Sequence, residues 1–374
     1  MGNTFLTPSI IAKEAMMQLK NNTVMANLVH RDYSNEFVAG VGNTITIRKP
    51  ATFEAKEFDS TAGIQIQDAT EGSETVVLDK LLDVSFEVTA EQLTLDIQNF
   101  SEQLLTPAMQ SFANKIDQYL LGLYIDVPDY YGTAGTTPSA VGDITNTRMI
   151  LNVNKAPFEN RNLVIDPINE NSFLQIAGFY EADKVGDNGT ALREASLGRK
   201  FGFDIFTDQN VQTHTKGTLT ADAGTLKVKG AVSANSTQFI IDGTNLTGTL
   251  VKGDLLTISG NNYVATEDAT AAAGEIAVKV FPATAEIADN ADVTIIDNHT
   301  ASLAFHKNAF ALVTRPLALP KGLSSEQKAI INYDGFGLRV IYDYNSQYKK
   351  DVVSIDMLCG VKTLNPKLDC RLLG

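Results

Sequence analysis

The sequence predicts an α+β chain whose body is interrupted by a small antiparallel β barrel. Three observations carry that expectation. Between Thr89 and Tyr124, Leu93, Ile97, Phe100, Leu104, Leu105, Met109, Phe112, Ile116, Leu120 and Leu123 recur at steps of three and four, the spacing of one helix face. Thr44–Arg48 and Val84–Val88 alternate apolar and polar side chains, the spacing of half-buried strands. From Thr213 to Ile296 the composition shifts to Thr, Ala, Gly, Asn and Val, with short strand candidates separated by turn residues.

Thr7-Pro8 opens a first helix, where proline's missing N–H costs nothing. Ile11, Ala15 and Leu19 form its apolar face with Met16 beside them, and Asn21-Asn22 closes it. Val24, Met25, Leu28 and Val29 make a further short apolar turn. Lys49–Lys80 has few large apolar side chains, turn signals at Ala62-Gly63 and Glu71-Gly72, and seven acids against three lysines. It buries too little apolar surface to hold itself compact, so it reads as a loop or an arm ordered from outside. The long helix is expected to start at Thr89, with Gln92 three residues on completing a capping box. It would span roughly 50 Å. Pro107 either kinks it or, with Thr106 as a cap, restarts it.

After the helix, Asp129–Thr147 reads as a connector and Asn162–Pro167 (NLVIDP) as a buried strand stopped by proline. Asn169–Tyr180 is expected to be one helix with Phe173, Ile176 and Ala177 inward, Asp183–Thr190 a glycine-bearing loop, and Phe203–Phe206 a strand. The barrel strands are expected at Leu226–Lys229, Gln238–Ile241, Leu255–Ser259, Tyr263–Ala265, Glu275–Phe281 and Val293–Ile296, with turns at Asp242-Gly243 and Gly260-Asn261. Ala301–Val313 mixes helix-like and strand-like patterning. Phe336–Leu358 alternates on either side of Asn345–Lys350, as a closing hairpin does.

The formal charge of −14 argues against nucleic-acid binding by the chain as a whole, which needs clustered Lys and Arg. No apolar run approaches the ~20 residues of a membrane helix. Met1–Lys13 does not resemble a signal peptide, so the chain is expected to stay in the cytoplasm where it is made. Cys359 and Cys370 are then expected to be buried thiols.

Catalytic and ligand signatures are weak. His30, His214, His299 and His306 are scattered without metal-ligand spacing. Gly40-Val41-Gly42 and Gly335-Phe336-Gly337 begin a dinucleotide fingerprint, but Ile45 and Val340 stand where its third glycine belongs. Asp183 and Asp187 near Gly189 lack the alternating acids and terminal glutamate of a calcium loop. No catalytic residue, cofactor or metal is expected, and the chain is not expected to be an enzyme.

Several segments together carry a resemblance: NTITIRKPATFEA at Asn43–Ala55, NLVIDP at Asn162–Pro167, GRKFGFDIFTDQNVQTH at Gly198–His214, KGDLLTISGNNYVAT at Lys252–Thr266, AFHKNAFALVTRPLALP at Ala304–Pro320, and the C-terminal GLRVIYDYNSQYKKDVVSIDMLCGVKTLNPKLDCRLL. In this order the chain resembles the major capsid protein of tailed double-stranded DNA bacteriophages, and more closely podophage-type coat proteins with an inserted β barrel. The resemblance implies the Hong Kong-type capsid fold: an N-terminal arm at 1–42, an E-loop hairpin at 43–88, and a spine helix with peripheral domain at 89–142. It further implies an axial domain in two parts, 143–212 and 298–323, an inserted barrel at 213–297, and a peripheral closing hairpin at 324–374.

It also implies a subunit that self-assembles as hexamers and pentamers into an icosahedral shell around double-stranded DNA, without sequence-specific binding or a membrane. A separate scaffolding protein and a portal protein would be its partners, the presence of a decoration protein being left open, and the virion, assembled in the host cytoplasm, its location. The alternatives are a cellular nanocompartment shell of the same fold and a monomeric β-rich binding module. If the acidic loop lies over a neighbouring subunit, Glu54, Glu57, Asp59, Glu71 and Glu74 need cations beneath them. Arg193, Arg199, Lys200, Lys349 and Lys350 are the candidates.

Overall fold

The computed structural model describes residues 8–31, 44–48, 73–89, 104–181, 195–222, 225–324, 327–333, 335–347 and 350–374. Its helices are α1 (Pro8–Asn22), α2 (Met25–Leu28), α3 (Thr106–Leu121), α4 (Val141–Val153), α5 (Pro167–Leu174) and α6 (Ala177–Tyr180). The chain divides into two compact units. The first comprises residues 1–19, 31–112 and 312–364; the second comprises 20–30, 113–311 and 365–374.

The first unit is built on a five-stranded sheet. Its order is Phe310–Arg315, Lys350–Thr363, Phe336–Asn345 and Lys328–Tyr333, with Lys80–Thr89 on the other flank of Lys350–Thr363. Phe336–Asn345 and Lys350–Thr363 form the expected hairpin, with Val340 opposite Ile355, both buried. Arg339 faces Asp356 across the same pair, and its guanidinium grips the carboxylate at 2.9 and 2.6 Å. Thr44–Arg48 pairs antiparallel with Ser73–Val77.

Thr89, expected to open the long helix, is the last residue of a strand whose residues pair one by one with Lys350–Cys359. Gln92, Leu93, Ile97 and Phe100 lie outside the described residues. α3 begins at Thr106 with Pro107 in its first turn, where proline is tolerated. Leu105, Met109, Phe112, Ile116 and Leu120 are buried along one side as the spacing predicts, and Leu104 is half-buried.

The second unit contains a seven-stranded mixed sheet in the order Tyr130–Tyr131, Asp369–Leu373, His299–His306, Arg161–Ile165, Phe203–Thr207 and Arg199–Lys200, with Thr213–His214 also paired to His299–His306. Arg161–Ile165 and Asp369–Leu373 are buried at every residue, as strands covered on both faces are. Ile144 and Leu151 of α4 pack with Phe173 and Phe179 against Leu163, Ile165, Phe203 and Leu372. Asn169–Tyr180 is two short helices and not one. Phe179 takes the inward position expected of Ile176 and Ala177, which are half-buried. Ala301–Val313 is strand, a single 3-10 turn at Lys307–Ala309, and strand again.

The barrel is closed, in the order Gln238–Asp242, Glu275–Phe281, Asn261–Ala265, Leu255–Ile258, Asp292–Ile295 and Leu226–Val228. Ile276, Val278 and Val280 point into a core that also holds Phe239, Ile241, Ile258 and Tyr263. Closure removes the sheet edges a small sandwich would expose. Ser259 (φ 50°) and Gly260 (φ 80°) join Leu255–Ile258 to Asn261–Ala265, the two left-handed residues that a two-residue hairpin of matching twist requires.

Candidate functional site

The chain enters the barrel through Thr213–His214 and leaves it at His299, and these two points pair antiparallel, His214 opposite His299. The barrel is therefore an insertion whose two ends meet on the sheet of the second unit. An apolar seat lies beside them, where Leu255 and Val264 of the barrel pack with Leu373, Tyr130, Phe281 and Ile296. Tyr130 Oη and Thr257 Oγ1 are 2.9 Å apart.

At this root the structure gathers a buried polar knot. His214 Nε2 lies 2.8 Å from Asp254 Oδ1, and His214 Nδ1 lies 3.0 Å from Tyr124 Oη. With Nε2–H donating to the carboxylate, Nδ1 accepts from the tyrosine hydroxyl. Asp254 also accepts from the backbone N–H of Val251 (2.7 Å) and of Gly217 (3.1 Å). His299 lies 5.3 Å from His214 ring to ring, and its Nδ1 donates to the Asp297 carbonyl at 2.8 Å. Arg371 lies over the Tyr124 ring and donates to the Gly253 carbonyl at 3.1 Å. Gly253 (φ 97°) has no room for a side chain, since a Cβ there would meet Ile125 Cγ2 at 2.9 Å. His214 and Asp254 are 2% and 0% exposed. The cluster therefore meets chain and not solvent, and its chemistry is fastening: strands at the sheet, the barrel loop at Val251–Asp254 and both connecting segments are tied through one set of side chains.

Burial sets the electrostatics. It lowers His299 to about 4, opposed by the Asp297 carbonyl and helped by the neighbouring Arg371 charge. It holds Arg371 down to about 10. It drives the Asp369 carboxyl well above its usual range, with Asp129 adding repulsion. Among the described residues neither Asp369 oxygen has a hydrogen-bond partner, nor do Arg371 Nε and Nη2 or His299 Nε2. Asp117 of α3 is likewise pushed up to about 7, chiefly by burial.

These groups fix the direction of the pH response. A carboxyl raised by folding holds a proton that the unfolded chain has released. It removes about 1.4 kcal/mol of stability per pH unit between its unfolded and folded values. His299, depressed, acts with the opposite sign, but only between pH 6.5 and about 4. From pH 6 to 8.5 the carboxyls therefore set the sign, and stability falls as pH rises. Thermal unfolding of the full chain should occur at a lower temperature at pH 8.5 than at pH 6; the reverse order contradicts the assignment.

The charged residues singled out in the sequence fall in different places. Glu54, Glu57, Asp59, Glu71, Arg193 and Lys349 lie outside the described residues. Glu74 is half-buried in the strand Ser73–Val77. Lys350 pairs with Glu87 of its own sheet at 2.6 Å. Arg199, largely exposed, faces Asp204 at 3.8 Å, and Lys200 follows it in the same two-residue edge strand. Arg199 and Lys200 thus stay together at one sheet edge, whereas Lys350 is engaged by a carboxylate of its own chain. Met149, Val153 and Phe158, on and just after α4, are exposed apolar residues that sequence patterning did not single out.

The polar knot was also missed. His214 and His299 look scattered along the sequence, yet they stand at the two ends of the compositional shift. Residues flanking an insertion are brought together wherever its ends meet, which was the available signal. Cys359 and Cys370 are free buried thiols, and burial pushes Cys359 up to about 12. Among the described residues no three His, Cys, Asp or Glu side chains converge as metal ligands, and no helix is long and apolar enough to cross a membrane. A cavity of about 430 Å³ opens between Tyr130–Tyr131 and the start of α4. Asp143 at its wall already accepts from the Ser139 and Ala140 N–H groups, both at 2.9 Å.

No protein-family model matches the sequence, and no curated protein matches it. Solved structures do. The chain is similar to one in a structure of Mycobacterium phage Che8, at 15% identity and a TM-score of 0.50, over 94% of this chain and 90% of that one. It is equally similar to a chain in the capsid structure of cyanophage P-SCSP1u, at 11% identity and a TM-score of 0.50, over 94% of this chain and 88% of that one. The chain has the α+β fold of a phage capsid subunit, with a closed six-stranded barrel inserted in it.

Proposed function

We propose that this chain is the major capsid protein of a tailed bacteriophage, a structural and non-catalytic subunit that assembles as hexamers and pentamers into an icosahedral shell enclosing double-stranded DNA. The observation that carries the proposal is a shared fold spanning 94% of this chain and 88% of the cyanophage capsid chain. On this proposal the chain acts in the virion, with a scaffolding protein and a portal as partners.

The segments then take the roles of arm (1–42), E-loop (43–88), spine (89–142), axial domain (143–212 and 298–323), inserted barrel (213–297) and peripheral hairpin (324–374). Multi-angle light scattering of the purified chain with a candidate scaffolding protein from the same genome tests it. Species far heavier than the 40.4 kDa chain are expected, and a monomer at every concentration would sink the proposal.

Intersubunit contact is proposed between the acidic loop, with Glu54, Glu57, Asp59, Glu71 and Glu74, and the cations Arg193, Arg199, Lys200, Lys349 and Lys350. Arg199 and Lys200 are the best placed, at one sheet edge. Each exposed pair contributes only ~0–1 kcal/mol. A closed shell repeats every contact, and avidity multiplies small terms. Reversing Arg199 and Lys200 to Glu should lower assembly yield several-fold, with partial recovery on adding Glu54→Lys and Glu57→Lys. At 1 M salt, where the Debye length is ~3 Å, wild-type assembly should weaken while the fold survives. Yields indifferent to both treatments would remove the contact.

A further inference from the structure

We propose that Asp166 and Asp208 form a binding site for a hard divalent cation, Mg²⁺ or Ca²⁺, at the carboxyl ends of the parallel strands Arg161–Ile165 and Phe203–Thr207. This goes beyond the shell proposal and does not depend on it.

Strand register sets the two carboxylates side by side. Arg161–Ile165 and Phe203–Thr207 pair in parallel with Ile165 opposite Thr207. The ladder runs one bond further, the Asp208 N–H donating to the Ile165 carbonyl at 3.0 Å. Asp166 is the next residue of one strand and Asp208 the next of the other. Asp166 still has extended backbone (φ −78°, ψ 163°), so its side chain leaves on the face opposite to that of Ile165. Asp208 follows Thr207 in the same alternation. Neighbouring strands lie ~4.8 Å apart, so the two aspartates stand about one strand spacing from each other on that face.

Each carboxylate spends one oxygen on its own loop and keeps the other. Asp166 Oδ2 caps α5 by accepting from the Ile168 N–H at 3.1 Å. Asp208 Oδ1 accepts from the Asn210 N–H at 2.8 Å and from Asn210 Nδ2 at 2.9 Å. These donors favour the ionised form of both groups. Asp166 Oδ1 and Asp208 Oδ2 are buried and have no partner among the described residues, and the two residues are only 8% and 4% exposed. Buried carboxylates side by side repel each other, and a buried charge is stable only where it is paired or bound to a metal. A doubly charged cation between the two orphan oxygens meets both requirements.

A third carboxyl, Asp117 of α3, is close enough to feel the Asp208 charge. Its two oxygens are taken by the Val24 N–H at 2.8 Å and the Ala26 N–H at 3.0 Å, so it is no ligand. The site therefore offers two carboxylates and not a cage of three, in keeping with the absence of such a cage among the described residues. Two carboxylates with water completing the shell is a coordination that Mg²⁺ keeps readily and Ca²⁺ accepts. Donors that are all oxygen select such hard cations over zinc or copper. Water has a way in, since Gln209 is exposed and Asn210 half-buried directly after Asp208.

Titration calorimetry and thermal unfolding of the full chain, stripped with a chelator and then given MgCl₂ or CaCl₂ at constant ionic strength, test the site. The wild type should show saturable uptake of one of the two cations. Its unfolding midpoint should rise by about 2–3 °C for each ten-fold increase in free cation above the dissociation constant. Asp208→Asn and Asp166→Asn keep the turn and the cap, because an amide oxygen accepts the same N–H groups, but remove a ligand charge. Without cation each variant should unfold no earlier than the wild type, since the repulsion is relieved. At saturating cation each should unfold earlier, having lost the uptake. Asp292→Asn, at an exposed acid on the barrel surface, should leave the uptake intact. A wild type with no saturable uptake of either cation overturns the site, whatever the variants do. Uptake that survives in both Asp166→Asn and Asp208→Asn overturns it equally.

Discussion

Replacing Asp254 with alanine is expected to cost the chain about 3–5 kcal/mol, although the residue lies in a loop. The carboxylate answers three separate donors: His214 Nε2–H, the Val251 N–H and the Gly217 N–H. Removing it leaves all three buried without an acceptor, and each such group costs roughly 1–3 kcal/mol. Loss of one partner from a buried charged pair falls in the same range. The unfolding midpoint should drop by roughly 10 °C. Lys227→Ala, which breaks the exposed ion pair with Asp292 on the barrel surface, is the comparison and should change stability by less than about 1 kcal/mol. Equal effects of the two substitutions would mean that the root of the barrel is not held by the polar knot.

The second large effect is expected at Phe112. It lies at 1% exposure on the inward face of α3. Phe112→Asp removes an aromatic side chain from a packed core, worth about 3–5 kcal/mol, and adds a carboxylate with no partner. Their sum approaches the whole stability of an ordinary domain, so the variant should accumulate as insoluble chain. Gln110→Asp, two residues away on the exposed face of the same helix, should change stability by no more than about 0.5 kcal/mol. Comparable soluble yields for both would contradict the orientation of the helix.

Much of this fold was legible in the sequence because its elements are locally periodic. Glu275–Phe281 alternates so regularly that its bounds follow from pattern alone, and its neighbours in the barrel deviate by a residue or two at their ends. Strands joined by short turns depend little on distant sequence, so local signals suffice. The strand Lys80–Thr89 shows the converse: its full extent is fixed by pairing with Lys350–Cys359, some 260 residues further along the chain in a register that no local window contains.

The polar knot was illegible on the same grounds. Tyr124, His214, Asp254, His299 and Arg371 come together only once the barrel's ends meet and the last strand enters the sheet. Asp117, outside the knot, carried a signal that went unused: a carboxylate between Ile116 and Leu120 on an apolar helical stripe is a visible conflict between pattern and chemistry. Such conflicts mark positions where a buried polar group has a specific partner.

The central claim is that this chain builds a closed shell. Electron microscopy of particles purified from cells that produce the chain together with a candidate scaffolding protein tests it most directly. The account predicts closed icosahedral particles whose three-dimensional reconstruction accepts this fold, repeated around five-fold and six-fold positions. A uniform population of single chains, with the scaffolding protein present and folded, would contradict it.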